Sequence, residues 1–386
     1  MKKNTSISFI IFLIFSLSMT NVIFSNNVIK NKVFVKDIKS VKIFREGSDI
    51  SYPIVMLNSN QKINLIFDEI YNGANDFSYK IVHCKPDWTP SDLSEQEYLD
   101  GFFENSVTDY EFSFNTLLSY THYKITIPNE NVKITKSGNY AIIVYKEFNI
   151  EDTVLVERFF VAEQNCNIKA NITRASIVDK MRSHQKINFT IESNVKIKNP
   201  FEEIKVVIAQ NNIWQTAKTD LKPQYVKDNS LEYNDDTENL FPAHNEFRYF
   251  NTKNLKLKTE NISEITYTKP YYNIKLFTDE KRIFKKYFFE KDLNGKFAPD
   301  MRFGDNPNVE ADYTYVYFSL KYPAPLLDDN VYVFGELTNY ETCDSNKMTY
   351  NFEKKQYELK LLLKQGIYNY MYVAKNKKTN KLDFEI

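Results

Sequence analysis

The chain has 386 residues, with 50 Lys plus Arg balanced by 50 Asp plus Glu, 27 Tyr, 30 Phe, 8 Gly and 3 Cys. A formal net charge of zero argues against a nucleic-acid binder, which carries a basic excess. Three widely separated cysteines do not make a disulfide framework.

The N-terminus opens with Met1-Lys2-Lys3 and an apolar run from Ile7 to Leu17. Two lysines ahead of a short apolar core read as a secretory signal peptide over residues 1–25. The run is shorter than the roughly 20 residues of a spanning helix. No Cys lies near the expected cleavage point, so no lipid anchor is expected there. The remaining residues, about 360 of them, exceed one ordinary domain and point to two or three.

Period-two alternation dominates the rest of the chain and marks strands with one buried face. Phe77, Tyr79 and Ile81 alternate with Ser78 and Lys80. Ser94 and Glu97 have capping-box spacing for one short helix. Tyr123, Ile125 and Ile127 alternate with Lys124 and Thr126, and Pro128 ends the run. Tyr140 to Tyr145 is continuously apolar, as in a central strand. Ile187, Phe189 and Ile191 form another alternating set, and Lys218 to Asn239 reads as a long polar loop. Val331 to Phe334 is again continuous, and Tyr357, Leu359 and Leu361 alternate. Gly138 and Gly366 each open an aromatic strand. Aromatic and β-branched residues fill pleated surfaces, so the fold class predicted is all-β: two to three consecutive immunoglobulin-like β-sandwich domains after the signal peptide.

Polar residues at Glu163 to Asn167, and the breakers Pro299, Gly304 and Pro307, set the expected boundaries: 28–163, 164–300 and 301–386. The third domain resembles the immunoglobulin-like early-set modules of glycan-active enzymes, on Val331-Tyr332-Val333-Phe334-Gly335 and the later Gly366-Ile367-Tyr368-Asn369-Tyr370. It is expected to lack its last strand or strands, because Phe384-Glu385-Ile386 falls within a strand-like stretch.

No catalytic, cofactor or metal residues are predicted. His83, His122, His184 and His244 are far apart, and close ligand spacing is absent. His83 and Cys84, adjacent on a strand, face opposite sides. There is no Gly-x-Ser-x-Gly and no His-Glu-x-x-His. Asp292-Leu293-Asn294-Gly295 starts like a calcium loop but lacks the later bidentate acid, leaving an Asx-type turn. Asp152-Thr153-Val154 has the form of an O-glycosylation triplet of exported Bacteroidota proteins.

One constellation has a family look. It comprises His83-Cys84-Lys85-Pro86-Asp87-Trp88, Tyr98-Leu99-Asp100-Gly101-Phe102, Ser113-Phe114-Asn115-Thr116, Tyr120-Thr121-His122-Tyr123 and Ser137-Gly138-Asn139-Tyr140. Further on come Asn199-Pro200, Gln210-Asn211 with Trp214, Glu246-Phe247-Arg248, Ala311-Asp312-Tyr313 and Tyr332-Val333-Phe334-Gly335. In this order they resemble the plug protein family of the type IX secretion system of the Bacteroidota. The resemblance implies a non-enzymatic periplasmic protein, peripheral to the outer membrane. It implies docking to the translocon β-barrel and closure of the barrel's periplasmic opening when no substrate is loaded. The chain is then a monomer within a larger complex, with no nucleic acid and no small-molecule substrate. Loops carry recognition on a fixed scaffold and aromatics are favoured in interfaces, so Trp88, Tyr98 and Phe102 are the candidate contact residues. The other reading of these three is that they pack their own loop. The alternative function is a periplasmic or surface glycan-binding module.

Overall fold

The computed structural model describes residues 27–71, 73–282, 292–384 and 386. The expected signal peptide lies outside them. The described chain is an all-β assembly in which the α-helices are single turns of four residues.

The first module is a sandwich. One sheet runs through Lys32–Val33, Asn149–Ala162, Gly138–Lys146, Phe77–Cys84 and Glu104–Ser106, with Ile54–Met56 joined in parallel to Asn149–Ala162. The other orders Ile38–Arg45, Ile63–Glu69, Thr121–Ile127 and Asp109–Phe112. The alternating residues Phe77, Tyr79 and Ile81 face Leu65, Phe67, Tyr123 and Ile125 in one core. Gly138–Lys146 is paired on both sides and buried from Tyr140 to Tyr145, the reason its sequence carries no polar alternation. The capping box of Ser94 and Glu97 starts the one-turn helix Glu95–Tyr98.

The second module is one sheet around His184–Ser193, which pairs with Cys166–Arg174, Ser230–Tyr233 and Leu240–Pro242. A small cluster of Phe189, Ile191, Val206, Leu221, Leu231 and Tyr233 covers one face. The polar stretch expected to be a loop contains a hairpin instead. Tyr225–Lys227 pairs with Ser230–Tyr233 across Asp228-Asn229, where Asp228 takes φ 49°. A two-residue turn accepting positive φ is a hairpin signal, here hidden by the polarity of an exposed edge.

The expected boundary at 300 is corrected by the strand pairing. Arg248–Asn251 and Phe297–Pro299 flank Gly366–Asn376 in one sheet, which Asp329–Phe334 extends. Ile262–Thr268 and Tyr271–Leu276 join Tyr313–Lys321, Gln356–Lys364 and Thr349–Asn351 in the facing sheet. Both sheets share one core, with Phe250, Ile274, Val316, Phe318, Val333 and Tyr370. The third module therefore takes strands from both sides of 300. Pro299 ends an edge strand and Pro307 begins the one-turn helix Pro307–Glu310. Both are places where a missing N–H costs nothing, so these breakers mark turns inside a module. Leu382–Asp383 closes onto Ala374 and Lys375.

Candidate functional site

The loop after Phe77–Cys84 turns back on itself. Trp88 N–H donates to Lys85 O at 2.9 Å, Lys85 N–H to Thr89 O at 2.8 Å, and the Asp87 carboxylate accepts from Thr89. Trp88 adopts φ 68°, which tips its ring under the loop. It is 3% exposed and meets Phe160 edge-on at 5.3 Å and Trp214 at 5.4 Å. Tyr98, 4% exposed, sits in the sandwich core beside His83 and Tyr140. Both rings are buried within the chain. Phe102 is 67% exposed. It follows Gly101, whose φ of 113° and contact with Asn131 O leave no room for a side chain.

The chemistry-bearing residues of this region are quiescent. Burial lowers the His83 imidazole and pushes the Cys84 thiol up to about 12, far from thiolate reactivity. Asp292 accepts from Asn294 N–H at 2.9 Å, forming the Asx turn, and from Phe247 N–H at 2.8 Å. Among the described residues no group of three or more potential ligands is placed to hold a metal ion.

Two features join the modules. The first is a sealed charge cluster between modules one and three. Asp68 accepts from His122 Nδ1, Lys364 Nζ and Tyr313 Oη, each at 2.6 Å. Lys364 also donates to Asn308 O at 2.5 Å and lies 4.3 Å from the Tyr120 ring centroid. Tyr120 Oη reaches across to Ala311 O at 2.9 Å. Burial works to raise the Asp68 carboxyl, but Lys364 and His122 outweigh it and hold the carboxyl below its usual range. Ser40 Oγ lies 2.7 Å from Tyr313 Oη at the edge of the cluster. The third partner is a tyrosine hydroxyl that burial drives well above its ordinary range. The cluster ties modules one and three together.

The second feature is a cleft of about 620 Å³ where all three modules meet. Arg158 and Glu157 are neighbours on Asn149–Ala162 and point to opposite faces. The Arg158 guanidinium stacks 4.2 Å from the Trp88 ring and stands 5.7 Å from Trp214 of module two. Its Nε donates to Ile29 O at 2.7 Å, and Nη2 donates to the same oxygen. Glu157 instead faces module three, where Asn339 Nδ2 donates to its Oε1 at 2.8 Å. Burial, aided by Glu336 and Glu341, pushes the Glu157 carboxyl up to about 8. Sequence reasoning missed this pair. The available signal was two adjacent charges inside the apolar run Val154 to Val161.

The raised Glu157 fixes a sign. Its folded value lies above the unfolded one, so the stability that its neutral form contributes is fully present below about 4.5 and is lost as pH rises toward 8. The slope is about 1.4 kcal/mol per pH unit. Glu157→Gln keeps an acceptor for Asn339 and is expected to flatten this slope, making the variant the more stable protein at pH 8. Denaturant unfolding at pH 5 and pH 8 checks it, and parallel slopes for both proteins would refute it.

A family model described as "Type 9 secretion system plug protein 1st domain" matches residues 38–163, the first module. Among solved structures, a hypothetical protein from Parabacteroides merdae is similar at a TM-score of 0.90 and 35% sequence identity, over 93% of this chain and 90% of that one. No curated protein matches.

Proposed function

We propose that this chain, whose first module matches the first domain of the type IX secretion system plug protein family, is a non-enzymatic periplasmic plug. On this reading it binds the outer-membrane translocon barrel and closes its periplasmic opening when no substrate is loaded. The match of the first module to the plug-protein domain carries the reading. The build of the molecule supports it. A stopper has to be wide and stiff, and here two sandwiches are locked by the buried Asp68 cluster, with the second module seated through Trp214 against Trp88. Contact then falls to exposed loop residues, Phe102 among them.

The test is capture with a tagged chain from solubilised outer membranes, followed by mass spectrometry. A very large β-barrel at stoichiometric recovery is the expected result. Its absence, with the chain folded, removes the plug reading. Phe102→Asp is expected to cut barrel recovery several-fold while unfolding free energy stays within about 0.5 kcal/mol of the parent, as for a surface position. Unchanged recovery would take Phe102 out of the contact.

The glycan-binding alternative draws on one observation. Tyr315 and Tyr317 lie half-buried on the outer face of the third module, with Tyr271 4.7 Å from Tyr315 and Lys360 3.6 Å from the same ring. Calorimetric titration with α-glucans and peptidoglycan fragments separates the readings, since saturable binding favours the alternative.

A further inference from the structure

The cleft at the three-module junction has the attributes of a ligand site. Its volume, about 620 Å³, lies within the range of small-molecule pockets, which pair apolar walls with a few convergent polar groups. Here the walls include Val41, Pro53 and Phe160. Phe160 and Trp214 stack at 5.9 Å, and the two indoles stand nearly perpendicular at 83°, which makes an aromatic corner.

The polar groups carry the argument further. Arg158 is 8% exposed, yet no carboxylate pairs with it among the described residues. Nε and Nη2 share a single carbonyl. Among the described residues no hydrogen bond uses Nη1, and Arg158 lines the cleft. Trp88 Nε1, at the same corner, is sealed and has no partner. A buried polar group without a partner is costly, and a half-used guanidinium is a ready fork for an oxyanion. The charge balance has the same sign. Lys30, Lys32 and Lys296 also line the cleft, as does Glu341, which faces Lys32, while Lys296 Nζ donates to Ile50 O and Ser51 O. Lys42 is matched by Glu336 at 3.5 Å, and Glu157 is held mostly neutral at pH 7 by its burial.

We propose that this cleft binds a small oxyanion-bearing ligand, a carboxylate or phosphate ester on an aromatic or apolar body, with the oxyanion on the Arg158 guanidinium and the body against Trp214 and Phe160. Such a ligand would bridge modules one and two. The inference does not rest on the plug reading, and its test uses the chain without any barrel.

Trp88 and Trp214 are the two tryptophans of the sequence, so intrinsic tryptophan emission reports on this corner. The full chain is titrated with phenylacetate, phenyl phosphate and the neutral 2-phenylacetamide, with thermal unfolding followed in parallel. A saturable emission change and a raised Tm with one or both anions, and markedly weaker binding of the amide, are expected. Which anion binds better identifies the source of the oxyanion. Arg158→Lys, which loses the planar fork, is expected to weaken anion binding roughly ten- to hundred-fold. Lys32→Gln, at an exposed position, is expected to weaken it less and to reduce its salt dependence. If Arg158→Lys does not fold, Lys32→Gln decides. No saturable change with either anion at millimolar concentration overturns the proposal. So does equal binding of the amide, or unchanged affinity in the variants that fold.

Discussion

Asp68→Asn is expected to lower the unfolding free energy by about 3–5 kcal/mol, the cost of removing one partner from a buried ion pair. The side chains of Asp68 and Lys364 are each 1% exposed. Without the carboxylate, Lys364 Nζ keeps Asn308 O and the Tyr120 and Tyr313 rings, and it remains a buried cation. The new amide oxygen can still accept from Lys364 and Tyr313, which share one Asp68 oxygen, but it carries no charge to offset Lys364. Its N–H₂ then faces His122 Nδ1, which loses its acceptor. The damage falls on the contact between modules one and three, because Tyr313, Lys364 and Asn308 belong to module three and Asp68 and His122 to module one. The pH dependence has a definite sign. The folded Asp68 value lies below the unfolded one, so its contribution is present above the ordinary carboxylate range near pH 4. It is lost as pH falls through the lowered folded value. The variant should show a weaker acid-induced loss of stability than the parent. Urea unfolding at pH 7 and at about pH 2 checks both statements, and a loss below about 1 kcal/mol at pH 7 would mean that the cluster contributes little.

Trp88→Ala is expected to cost about 3–5 kcal/mol, as for truncating a large aromatic in a well-filled core. Its ring meets Phe160, Trp214 and the Arg158 guanidinium, so truncation removes one wall from module one and one from the seat of module two. It also bares a guanidinium that has no carboxylate partner among the described residues. Trp88→Phe keeps part of the ring contact and should lie between alanine and the parent. Thermal unfolding of the isolated chain is the measurement. A Trp88→Ala chain that unfolds like the parent yet fails to recover the barrel would restore Trp88 as a contact residue.

Much of the architecture is legible along the chain because burial of one strand face writes itself as a period of two. Phe77, Tyr79 and Ile81 alternate since Ser78 and Lys80 stand on the other face, and Tyr140 to Tyr145 run without a break since both faces are covered. The single-turn helix at Glu95–Tyr98 is equally legible, because a capping box is satisfied within four residues. The boundary at 300 is not. Proline and glycine report local backbone geometry, and an edge strand followed by a one-turn helix needs them as much as a linker does. Which strands pair is decided by contacts such as Arg248 with Tyr370, across more than a hundred residues, that leave no local trace. The contact residues divide for a related reason. Composition cannot tell an aromatic that packs its loop from one that faces outward, and φ 68° at Trp88 is a property of the folded turn.

The residue order alone thus determined an all-β chain, the likeness of its first module to plug proteins, and the lack of any catalytic motif, since each rests on neighbours in sequence. Only the tertiary structure decided that Asp68 meets Lys364, that Glu157 and Arg158 look toward different modules, and that two tryptophans from separate modules share one corner. Ion pairs, desolvation and cavities depend on distance in space, and in a sandwich of long-range strand pairs that distance is set by the packing of whole sheets.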